Sequence, residues 1–124
     1  MSEDLQPRII AGPPLYTSRT EKPVEHIALA DQRDVVFGYI YANNDDEAVG
    51  FEGRPAAGYE SWNLVAPWNR MLSDAKRRGL KPSDALDELI RAGSVARSHV
   101  VPGSRRTAAS LAALKKLATD GPAA

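Results

Sequence analysis

His26 and His99 are the only two histidines in the 124-residue chain, and it has no cysteine. The lack of cysteine excludes disulfides, thiolate nucleophiles and cysteine-based zinc sites. No His pair falls at i, i+4 spacing and no H-E-x-x-H occurs. The acidic run Asn43-Asn44-Asp45-Asp46-Glu47 lacks the alternate ligand spacing and distal Glu of a calcium loop, and it reads as a solvated hairpin tip. No metal and no cofactor are expected. Ser98 precedes His99, but adjacency in sequence does not establish a Ser–His hydrogen bond, and there is no G-x-S-x-G elbow. His26 would act as an acid or base only with a partner such as Tyr39 beside it. No catalytic constellation is expected.

The segment Pro102-Gly103-Ser104-Arg105-Arg106-Thr107 offers a different chemistry. Helical periodicity begins near Thr107, so this segment would lead into a helix start. Free N–H groups, the helix dipole, the guanidinium groups of Arg105 and Arg106 and the hydroxyls of Ser104 and Thr107 could together hold an anion, with His99 joining them. Gly-Ser-x-x-Thr is also ordinary capping chemistry, and neither G-x-x-x-x-G-K-[ST] nor G-x-G-x-x-G is present. A second basic run, Lys76-Arg77-Arg78-Gly79-Leu80-Lys81, matches the charge of a nucleic-acid patch. It lacks interleaved aromatics for base stacking, and cations gather at helix C-termini anyway.

Aromatic residues are the remaining candidates. Phe37, Tyr39 and Tyr41 alternate along one segment, and Phe51 follows in the next. Trp62 falls outside the apolar stripe of its helix, where it could contact a partner or staple the helix start.

These residues need elements to position them. Residues 24–30, 35–41 and a third segment from Val49 read as strands, separated by the polar turns Asp31-Gln32-Arg33-Asp34 and 43–47. The expected register sets Ala42 opposite Ala48, Tyr41 opposite Val49 and Tyr39 opposite Phe51. It also sets Ala30 opposite Val35 and His26 opposite Tyr39. One face then carries His26, Ala28, Phe37, Tyr39, Tyr41, Val49 and Phe51, and the other carries Ile27, Leu29, Val36, Gly38, Ile40 and Gly50.

Leu64, Val65, Trp68, Met71, Leu72 and Ala75 form one helical stripe, with Asn63 as the expected N-cap, Pro67 in the first turn and Gly79 as the stop. A second helix starts around Pro82 and ends at Gly93. Residues 95–101 are a candidate short fourth strand. A third helix runs over about 107–118, with Leu111, Leu114, Leu117 and Ala118 inward. The fold class is therefore α+β: a three-stranded antiparallel meander, with a short fourth strand, packed against three short helices. Val36, Ile40, Leu64, Trp68, Leu72, Leu86, Leu89 and Leu114 are expected in one core.

Hydrophobic residues make up 43% of the chain, enough for one modest core. Prolines 7, 13, 14 and 23 mark residues 1–23 as a flexible tail. Residues 24–119 form the domain, and 120–124 fray. No apolar run is long enough to span a bilayer, and the acidic start has no secretory h-region, which fits a cytoplasmic protein. Residues 1–60 carry 5 Lys/Arg against 11 Asp/Glu, a net of −6, and residues 61–124 carry 11 against 5, a net of +6. This asymmetry is read as two halves of one fold attracting each other.

Catalytic groups do not converge and apolar sheet surface is plentiful. The expected function is therefore a non-enzymatic protein-interaction or regulatory module. Phe37, Tyr39, Tyr41, Phe51 and Trp62 would contact a protein partner, most simply a second copy, with the sheet aromatics forming one exposed patch. The alternative is a phosphate- or nucleic-acid-binding protein using the basic C-terminal half. A small enzyme built on His26 or His99 ranks below both.

Overall fold

The computed structural model describes residues 15–57 and 60–120. Strands β1 (Val24–Asp31), β2 (Val36–Asn43) and β3 (Ala48–Gly53) form the antiparallel meander. A single 3-10 turn, Pro55–Ala57, leads to helices α1 (Glu60–Arg77) and α2 (Pro82–Ala92). Short strands β4 (Ser94–Val95), β5 (Ser98–Val100) and β6 (Arg106–Ala108) follow, then helix α3 (Leu111–Asp120). The architecture is α+β, with a six-stranded antiparallel sheet ordered β3-β2-β1-β5-β4 and β6 also paired to β1. None of the described helices is long and apolar enough to cross a membrane.

β1 holds the sheet together. Val24 and every residue from His26 to Ala30 are buried, so its main-chain groups need partners on both edges. β2 pairs along one edge. On the other, β6 pairs with Val24 to His26 and β5 with Leu29 to Asp31. The loop between β5 and β6 bridges the gap at Ala28. Its carbonyl accepts from Val101 N–H at 2.9 Å, and its N–H donates to Ser104 Oγ at 3.0 Å. A serine hydroxyl here replaces a missing strand residue.

The expected register is corrected at both turns. The β2–β3 loop has four residues, not five: Asn43 pairs with Ala48, Ala42 with Val49, Tyr41 with Gly50 and Ile40 with Phe51. Asn43 Oδ1 accepts from Asp46 N–H, and Glu47 turns the chain at φ +51°, so Asn43 stays in the strand. The one-residue slip moves Val49 and Phe51 to the opposite face.

At the other turn Asp31 Oδ1 accepts from the N–H groups of Arg33 and Val35, and Ala30 pairs with Val36. Leu29 pairs with Gly38, so Phe37 is the extra residue of a bulge. The bulge turns the Phe37 ring to the aliphatic face, where it is 2% exposed. His26 consequently pairs with Tyr41, not Tyr39.

Both faces are covered, by different helices. α1 and α2 lie on the face of Ile27, Leu29, Ile40, Val49 and Phe37, contributing Val65, Trp68, Leu72, Ala75, Ala85, Leu86 and Leu89. α3 lies on the other face, where Leu114 packs with Val24 and Tyr41. The expected single core is thus two, with Leu114 in the second. Leu64 packs only partly buried against the first, and Val36 is intermediate in exposure.

α3 begins at Leu111 rather than Thr107, because 106–108 pair with β1 and Ser110 Oγ then accepts from Ala113 N–H. Leu117, expected inward, is 38% exposed. α1 begins at Glu60, so Asn63 is not its N-cap and Pro67 sits inside the helix. α2 starts and stops as expected, with Gly93 at φ +77°.

Two glycines of the meander seat aromatic rings. A Cβ on Gly38 would lie 2.3 Å from Phe51 Cζ, and one on Gly50 would lie 2.3 Å from Tyr41 Oη. Of the expected tail, residues 1–14 lie outside the described residues. Residues 15–23 lie against the domain: Thr17 bridges Ala48, Tyr16 Oη donates to the Leu80 carbonyl at 2.7 Å, and Thr20 Oγ1 donates to Asp46 at 2.6 Å. The end of the expected domain at 119 falls within α3, and 121–124 lie outside the described residues.

Trp68 is fully buried, and its Nε1–H donates to Ser98 Oγ at 2.7 Å, tying α1 to β5. Ser98→Ala strands that donor and should cost about 1–3 kcal/mol, as should Ser104→Ala at the Ala28 N–H. Trp68→Ala should cost about 3–5 kcal/mol. Urea melts should show lowered midpoints at unchanged slope. A Ser104→Ala variant that melts with the parent would show that the loop does not hold β1.

Candidate functional site

The five residues of the expected anion site do not converge. His99 Nε2 lies 3.0 Å from Asp34 Oδ1 at the β1–β2 turn. Ser104 Oγ is engaged by Ala28. Arg105 donates to Glu25, at 3.1 Å from Nε and 2.5 Å from Nη2, and through Nη1 to Asp87. Arg106 Nη1 donates to the carbonyls of Gly103 and Arg105. Thr107 stands in β6 opposite Glu25, three residues before the Ser110 that caps α3. Two carboxylates therefore balance the Arg105 guanidinium, which also reaches the Ser83 carbonyl in the first turn of α2 at 3.5 Å. Glu25 and Asp87 are too far from Arg105 in sequence for spacing to have paired them.

In the second basic run Lys76, Arg77 and Arg78 are paired. Lys76 meets Glu47 at 3.3 Å, Arg77 meets Asp74 at 3.6 Å, and Arg78 bridges Asp74 and Glu88 at 2.9 and 2.6 Å. Gly79, at φ +81°, ends α1, and its N–H donates to the Lys76 carbonyl. The run is a helix end, where the dipole favours cations such as Lys76 and Arg77. Among the described residues no three His, Asp or Glu side chains form a metal-binding group.

His26 is 4% exposed, and its Nδ1 has no hydrogen-bond partner among the described residues. Its ring meets Tyr39 edge-on with centroids 5.7 Å apart. Burial, and then the charge of Arg106 across the β1–β6 pair, hold the imidazole below its ordinary pKa. Tyr41, paired with His26, donates its hydroxyl to the Ser18 carbonyl at 2.7 Å. Burial raises the Tyr41 pKa, with Glu52 adding to the shift. His26 and Tyr39 make a ring contact within the sheet.

The expected aromatic patch is divided. Tyr41 is buried under α3, Tyr39 is half-buried beside it, and Phe37 lies in the opposite core. Phe51 and Trp62 remain together at the outer strand. Their rings meet at 66° with centroids 6.2 Å apart, and Phe37 lies 6.1 Å behind Phe51. The three rings run from the core outward. Phe51 covers Gly38, and Trp62, in the first turn of α1, is 66% exposed.

A groove of about 370 Å³ opens here between the end of β3 and the start of α1, with Phe51, Glu52, Pro55 and Trp62 among its walls. Arg54 is buried behind it, and its Nε donates to the Ala118 carbonyl at 3.3 Å near the end of α3. The position of Trp62 off the apolar stripe was the sequence signal for this corner. Its contact with Phe51 depends on the β2–β3 register.

The imidazole of His26 makes stability pH-dependent. In the unfolded chain it takes up a proton near pH 6.5, whereas in the folded chain it resists protonation to lower pH. Stability should therefore be complete above that value and fall as the pH drops below it. His26→Leu should flatten that decline between about pH 6.5 and 5. Equal slopes for parent and variant in chemical melts would exclude His26 as the cause.

Compared with family models, curated proteins and solved structures, the chain matches none of them.

Proposed function

We propose that the chain is a non-enzymatic protein-interaction module whose contact surface is the corner formed by Phe51 and Trp62. The observation that carries this reading is the 66% exposure of Trp62, backed by a ring stack that reaches the core. A large aromatic held this way offers apolar area at little conformational cost and keeps a polar N–H for a partner. The charged residues support the reading from the other side. Arg105, Arg78 and Lys76 already face carboxylates within the chain, so an anionic ligand would have to compete with them.

Trp62→Ala tests this. Because the ring is largely exposed, the variant should lose less than about 1 kcal/mol of stability. Immobilised parent and variant, each shown to be folded by circular dichroism, are exposed to the same native lysate. Any partner should be retained about tenfold less by the variant, the loss of 1.4 kcal/mol expected of a modest hot spot. Equal retention of every captured protein by both would sink the reading.

A further inference from the structure

We infer that the corner binds its partner by strand addition to the outer edge of β3, and that the added strand carries Lys or Arg between two apolar residues. This rests on the proposed interaction surface and specifies what occupies it. β3 is the last strand of the sheet. Val49 N–H donates outward to the Thr17 carbonyl at 2.9 Å, and Arg54 N–H donates inward to the Phe37 carbonyl at 2.9 Å. Antiparallel alternation then directs the main-chain groups of Phe51 and Gly53 outward, and those of Gly50 and Glu52 toward β2. Among the described residues the Phe51 and Gly53 N–H groups have no acceptor. The segment that bridges Ala48 stops short of them. Two outward residues with a groove beside them are a template for an extended segment.

The side chains choose the occupant. Phe51 and Trp62 stand on the face of α1, where an added strand would meet them with apolar residues. Glu52 projects from the opposite face and makes no ion pair with any described residue. The residue set against it on an added strand does best with a positive charge. A second copy fits poorly. Two-fold antiparallel pairing that uses both free residues sets Phe51 against Gly53 of the other copy and Glu52 against Glu52. Like charges directly opposite are destabilising. A foreign strand with the alternation apolar–basic–apolar satisfies the main chain, Glu52 and the two rings together.

The test is selection of a displayed random nine-residue peptide library on the full chain, run in parallel on Glu52→Lys and Trp62→Ala. The parent should enrich Lys or Arg flanked on both sides by aromatic or β-branched residues. Glu52→Lys should shift that position to Asp or Glu and bind the parent's best peptide about tenfold more weakly. That peptide should slow hydrogen exchange at the Phe51 and Gly53 amides of the full chain. Peptides that depend on Trp62 but leave those amides unprotected, or whose charge preference ignores Glu52→Lys, would overturn strand addition and leave the interaction surface standing. A library with no binder that depends on Trp62 overturns both. A parent dimer that tightens on Glu52→Gln would assign the edge to a second copy and refute the foreign strand.

Discussion

The fold depends on keeping β1 fully bonded while it is buried on both faces. A buried main-chain donor without a partner costs as much as a lost core contact, so both edges of β1 must be paired. β2 serves one edge throughout. The other is served in relay by β6, the Ser104 hydroxyl and β5. Much of the C-terminal half follows from this need. The chain after α2 returns to the centre of the sheet in short pieces, because two strands of three residues and one side chain must share a single edge.

With β1 in the middle, the sheet divides the apolar residues between two layers. α1 and α2 fill one side around Trp68, and α3 closes the other over Val24 and Tyr41. The glycines of the meander adapt the two faces to their cover. Gly38 leaves room for the Phe51 ring on the face of α1, and Gly50 does the same for Tyr41 on the face of α3. A larger residue at either position would push an aromatic ring off its seat. The sheet surplus that the composition suggests is thereby consumed, except where β3 reaches the edge. There Phe51 is shared between the core and the Trp62 corner.

The charged residues follow the same economy. Acidic and basic halves of the sequence meet where Glu25 holds Arg105 and Glu47 holds Lys76, while Asp87 and Glu88 pair with Arg105 and Arg78 within the C-terminal half. Exposed pairs of this kind add little stability each. Glu52, beside the open edge of β3, makes no ion pair with a described residue.

The sequence by itself determined the α+β class, the three meander strands to within about two residues, α2 with its proline start and glycine stop, and the stripe that buries Trp68. All of these come from local periodicity and from backbone preferences of single residues. Only the tertiary structure decided the rest. The β2–β3 register turns on whether the loop has four residues or five, and Asn43 and Glu47 settle it through bonds that no alternation pattern contains. The bulge moves Phe37 to the other core, against its spacing with Tyr39 and Tyr41. Ser104, Arg105 and Thr107 resemble a helix entrance until β1 claims them. The Phe51–Trp62 corner combines an off-stripe tryptophan, visible in the sequence, with a strand face that a one-residue slip would have reversed. Periodicity fixes which face of its own element a side chain takes. Which element covers that face is set by contacts between residues distant in the chain.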